Sequence, residues 1–361
     1  MKPLLNALLA NRLNVLIVAA PISWWLHAVS PDSPWVFITA ATSLIPLAGI
    51  IGLGTEELAR RSGPALGGFL NATFGNAAEL IIALVAIRSG HVDLVKASIT
   101  GSIVGNLLLV LGLSFFVGGL GRTSQQFNRT AANNTASMLF LAVVALVMPA
   151  VFDLAVYGTL TARPAAIDRL SLLTALVLIG AYAGSLIYSF TVQRDLFRPH
   201  TEERAQGAAL TNPQAIVLLA IGTILTTIEA ELLVGTLSPA LGRFGLTELF
   251  VGVIVIAIIG NAAEHYSAIL AARRDQMTLA VEIAVGSSAQ IALLVAPAVV
   301  LYSFAIGNPM SLLFNPFEIS AIALSVLATS MVVGDGESNW VEGLQLLSVY
   351  LILAMAFYFA P

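Results

Sequence analysis

The chain has 361 residues, of which 58% are hydrophobic and only 10% charged, against the about 25% charged residues of a typical soluble domain. The net charge of -4 offers no basic face for nucleic acid, and the absence of cysteine excludes disulfides and thiolate metal sites. What remains is a polytopic membrane protein.

Apolar runs near the length needed to cross a bilayer, about 20 residues, recur eleven times. The first extends from Leu13 to Ala28 and ends at Ser30-Pro31-Asp32-Ser33-Pro34. A cleaved signal peptide is the alternative for this run, but its length, Pro21 and the Trp24-Trp25 pair favour a retained span. The others lie at about 35–59, 64–88, 94–120, 132–152, 168–192, 213–240, 246–271, 278–306, 313–333 and 339–360. With eleven crossings, eleven Lys and Arg residues, from Lys2 to the pair Arg273-Arg274, share the side of the N-terminus. Five (Arg88, Lys96, Arg163, Arg169 and Arg243) fall on the other. The positive-inside rule therefore places the N-terminus in the cytoplasm and the C-terminus opposite.

The third and eighth runs carry the same five residues, Gly75-Asn76-Ala77-Ala78-Glu79 and Gly260-Asn261-Ala262-Ala263-Glu264. The offset of 185 residues also maps Gly101-Ser102 onto Gly286-Ser287. Each repeat thus pairs an acidic helix with a following Gly-Ser helix. Five spans separate the copies, and an odd number of crossings inverts the second relative to the first. The expected architecture is all-α: an N-terminal helix (1–34), a five-helix repeat (35–193) with its motif pair at 64–120, a cytoplasmic linker (194–212), and an inverted five-helix repeat (213–361) with its motif pair at 246–306. Inverted repeats bind cargo near the bilayer midplane and alternate between two open states.

Asn76 and Glu79, like Asn261 and Glu264, are three residues apart and share a helix face. Gly75 and Gly260 let the opposing repeat approach or let the helix break. A carboxylate at the bilayer centre costs about 2.5–3.5 kcal/mol or more, and two copies of that cost point to function. Calcium takes six to eight oxygen ligands, and two Glu and two Asn supply oxygen only. The same carboxylates accept protons when the cation leaves, so cation and protons compete for one set of oxygens. Ser102 and Asn106 on one following helix, and Ser287 and Gln290 on the other, extend the expected ligand set. Asn106 maps onto Ile291, so the halves are not identical.

The doubled motif, the second running on to His265, resembles the two alpha-repeats of the CAX-type calcium/proton antiporters in the cation/calcium exchanger superfamily. The resemblance extends to Leu70–Phe74, Glu56–Ala59, Asn315-Pro316-Phe317-Glu318 and Asp335–Trp340. It implies a secondary transporter that exchanges calcium for protons, with Glu79 and Glu264 binding either, and no cofactor. It implies proton or ion-access roles for Glu57 and Glu231, of which Glu231 is the stronger candidate, and places His265 on the same path. His265 shares the face of Asn261, but Leu80 stands at the equivalent position of the first copy, so a hydrogen-bonding or packing role is expected for it rather than direct ion contact. Members of the family often carry an acidic, calcium-sensing helix in the central linker; here three acidic residues meet three Arg, and an amphipathic connector is expected. Asp335-Gly336-Glu337 lacks the spacing of an EF-hand, so Ser338 or Asn339 is expected to cap the last helix.

Other classes fit less well. A metalloprotease needs a second histidine beside His265, and no base accompanies Ser102 or Ser287. A cation channel uses the same residues but has no need of an inverted repeat. Sodium coupling, manganese selectivity and a homo-oligomeric state stay open, and the membrane is expected to be the cell (inner) membrane if the source is prokaryotic.

Overall fold

The computed structural model describes residues 11–158, 165–191 and 210–360. Most of the 194–212 linker, and with it the expected amphipathic connector, lies outside these residues, as does Lys2.

The helices in order are α1 (Arg12–Val29), α2 (Pro34–Arg61), α3 (Gly63–Phe74), α4 (Ala77–Arg88), α5 (Val92–Gly119), α6 (Arg129–Tyr157), α7 (Ala165–Thr191), α8 (Asn212–Gly235), α9 (Leu237–Phe244), α10 (Glu248–Gly260), α11 (Ala262–Arg273), α12 (Met277–Ala305), α13 (Pro316–Val332) and α14 (Trp340–Phe359). Strands β1 (Gln125–Gln126) and β2 (Glu337–Ser338) pair antiparallel. Among the described residues, eight helices are long and apolar enough to cross a membrane, or nine if α9 and α10, bent by 109°, form one span. The count of eleven is therefore not reached by uninterrupted helices. Run 64–88 is two 12-residue helices on either side of Gly75-Asn76, and run 246–271 divides at Asn261. Run 313–333 becomes the 17-residue α13. Glycine is a poor helix former, and an Asn side chain competes for backbone groups. The motif itself supplies the break.

Helix ends follow local chemistry. Asn315 and Asn339 cap α13 and α14 in reciprocal capping boxes with Glu318 and Glu342, and Asp335 Oδ1 accepts from Glu337 N at 3.1 Å. The Asp335–Glu337 segment is thus the turn leading into a capped helix.

Two compact units emerge. The first comprises Met1–Val85, Tyr182–Gly245 and Ile259–Ala263. In it α2 packs along α8, with Leu47, Ile50 and Leu218 fully or nearly buried. The second comprises Ala86–Ala181, Leu246–Ile258 and Glu264–Pro361. Here α5 crosses α10 backbone to backbone: a Cβ on Gly101 would collide with the Val253 carbonyl, and one on Gly252 with Ala97. Such contact between small residues replaces the hydrophobic drive that lipid removes.

Candidate functional site

In the first unit the broken motif segments bring Asn76, Glu79 and Asn261 inside, at 1%, 7% and 0% exposure. Asn76 closes the break, its carbonyl accepting from Leu80 N at 3.0 Å, so Glu79 stands in the first turn of α4. The Glu79 side chain lies on Gly260 of the other motif: a Cβ there would stand 3.2 Å from Glu79 Cγ and 3.4 Å from Oε1. Gly260 is thus the floor beneath a carboxylate contributed by the opposite repeat. Both roles foreseen for the motif glycines occur, a helix break at Gly75 and a close approach at Gly260.

In the second unit Glu264 Oε2 accepts a 2.5 Å hydrogen bond from Ser287 Oγ, linking the second acidic motif to its own Gly-Ser helix. His265 Nε2 is 3.2 Å from Asn106 Oδ1 and donates to it, which fixes the amide of a residue from the first repeat. Ser102, Asn106 and Ser287 are buried, and Gln290 is half-buried. Ser288 Oγ instead meets backbone carbonyls, Ala284 O of its own helix at 3.0 Å and Ile103 O of α5 at 3.4 Å.

Sequence reasoning missed a backbone feature. Wide π turns occupy Gly105–Val110 in α5 and Ile291–Val295 in α12, positions related by the 185-residue offset, and a third occupies Val251–Ile256 before Gly260. A π turn displaces carbonyls from their helical donors and recurs at functional sites. No residue type signals it.

The ion-access candidates differ in burial. Glu231 is exposed, whereas Glu229 is fully buried and receives Ser23 Oγ of α1 at 2.9 and 2.8 Å on its two oxygens. Helical period explains the difference. Gly222, Thr226, Glu229 and Leu233 form the buried stripe of α8, and a step of two residues turns roughly 200° away from it. Glu57 is not a solvated helix-end carboxylate. It is 4% exposed, pairs with Arg60, and accepts from Leu210 N at 3.1 Å. Lys96, placed by sequence among the charges flanking the spans, is 7% exposed inside α5.

Broken helices carrying paired acidic motifs in an apolar all-helical protein define the class: an integral membrane cation exchanger. The model of the sodium/calcium exchanger protein family matches residues 33–191 and 214–359, and the chain belongs to that family. It is 42% identical over 363 residues to a Ca(2+)/H(+) antiporter of Synechocystis sp., covering 96% of this chain and 97% of the relative. It is 41% identical to the Ca(2+)/H(+) antiporter ChaA of Bacillus subtilis, covering 96% and 99%. The solved structure of native YfkE superposes with a TM-score of 0.83 at 38% identity, covering 97% of this chain and all of that one. The H+/Ca2+ exchanger CAX shares the fold, with a TM-score of 0.68 at 17% identity over 98% of this chain and 91% of that one.

Proposed function

We propose that this protein exchanges calcium for protons by alternating access. Glu79 and Glu264 hold either one divalent cation or protons, and Asn76, Asn261, Ser102, Asn106, Ser287 and Gln290 complete the oxygen shell. The observation that carries the reading is Glu79 lying on Gly260, four residues before Glu264. It sets the carboxylate of one repeat on the backbone of the other motif. The names of the relatives, Ca(2+)/H(+) antiporters of comparable length, support calcium as cargo and protons as counter-ion. When the carboxylates are ionised they attract a hard cation through oxygen; once protonated they release it, and the neutral site returns.

Everted membrane vesicles containing the protein test this. Calcium uptake driven by an imposed pH gradient, and indifferent to sodium, is expected. The family's name leaves sodium as the rival counter-ion, so uptake that follows a sodium gradient and ignores pH would replace protons in this scheme. Conductive calcium flux without any gradient of counter-ion would make the protein a channel.

A further inference from the structure

Helix α5 carries Ser102 and Asn106 on one side and an unexplained polar ladder on the other. Asp93, Lys96 and Thr100 recur at intervals of three and four residues, while Ser102 lies two residues past Thr100, roughly 200° around the helix. Lys96 Nζ donates to Leu313 O at 2.7 Å and lies 3.5 Å from Ser311 Oγ. Thr100 Oγ1 donates to Glu318 Oε1 at 3.4 Å, and the other Glu318 oxygen accepts from Asn315 N at 2.9 Å. Eleven residues along α13, three turns on the same face, Thr329 Oγ1 donates to Leu107 O at 3.3 Å. Leu107 belongs to the π turn that also contains Asn106. Glu318, Thr100 and Thr329 are 2%, 0% and 1% exposed.

Helix α13 therefore grips α5 by side-chain hydrogen bonds at two points, Thr100 and Leu107, which bracket Ser102 and Asn106. Apolar surfaces in a membrane slide past one another at little cost, because lipid and side chain are equally apolar. Directional hydrogen bonds do not slide.

We infer that α13 is a positioning strut: Glu318 and Thr329, acting through Thr100 and Leu107, set the axial register of α5 and so place Ser102 and Asn106 for the cation. Neither residue touches the cargo. The inference rests on the proposed exchange and on Ser102 and Asn106 as ligands.

The test is the dependence of proton-driven calcium uptake on calcium concentration in vesicles carrying Thr100→Val or Thr329→Val, with folded protein quantified in each preparation. Each variant removes one hydroxyl and keeps the shape. The expected result is an apparent KM for calcium raised about fivefold, the worth of one hydrogen bond, with Vmax per folded molecule retained. Thr329→Ser, which restores the hydroxyl, is expected to restore KM. A wild-type KM in either folded variant overturns the strut. So does loss of folded protein in both, which assigns these bonds to stability alone. Absence of proton-driven uptake in the wild type would instead defeat the functional reading itself.

Discussion

Replacing Gly260 by Ala separates function from folding, because the two respond with opposite sign. The added Cβ would sit 3.2 Å from Glu79 Cγ, whereas apolar carbon atoms settle at about 3.5 Å or more. Glu79 must then retreat by about 0.3 Å, the difference between those two distances. Calcium–oxygen bonds fall within about 2.3–2.6 Å, and a working metal site holds its ligands to about 0.2 Å. The displacement is as large as the tolerance. The expected loss is roughly tenfold in apparent calcium affinity, or about 1.4 kcal/mol. Gly260 itself is helical, and Ala is favoured over Gly inside a helix by up to about 1 kcal/mol. The variant should therefore be as stable as the parent in a detergent melt while its KM for calcium in everted vesicles rises. An unchanged KM in folded Gly260→Ala protein would refute the placement of Glu79 as a ligand over this glycine.

Glu79→Gln and Glu264→Gln should each abolish coupled uptake while leaving folded protein in the membrane; coupled exchange surviving in either would exclude that residue from the site. At the buried stripe of α8, Glu229→Leu should lower stability by no more than about 1 kcal/mol, the worth of one hydrogen bond, since the Ser23 hydroxyl keeps Ala20 O as an acceptor at 2.8 Å. Glu231→Gln, on the exposed face, should change a melt by no more than about 0.5 kcal/mol. Gly101→Ala should destabilise the α5–α10 crossing by about 1–3 kcal/mol through overpacking, read as a lower melting temperature; a parental melt would show that α10 yields there.

Much of this protein is legible without coordinates because membrane physics is severe. Apolar runs, the doubled Gly-Asn-Ala-Ala-Glu motif and the 185-residue offset mark a repeated acidic element in a membrane protein, since lipid tolerates a carboxylate only where something uses it. The burial of Glu229 shows where the residues alone were less legible. Its burial follows from the stripe Gly222–Thr226–Glu229–Leu233, a pattern present in the sequence but masked by uniformly apolar neighbours, which leave little contrast between faces. Glu57 differs again. Its partner, Leu210 N, lies 153 residues away, and no local pattern predicts so distant a contact.

The residue types by themselves determine that there are two oxygen-donating motifs in a helical membrane protein, because charge, length and period are local properties of the chain. Tertiary structure alone decides that Glu79 rests on Gly260, that Ser287 holds Glu264, and that α13 grips α5 on either side of Ser102 and Asn106. Those contacts depend on where helices break and widen, at Gly75-Asn76, at Asn261 and in the π turns. The motif itself marks the breaks, but what meets across them, and where the π turns fall, is decided by packing from remote segments, which the local sequence does not contain.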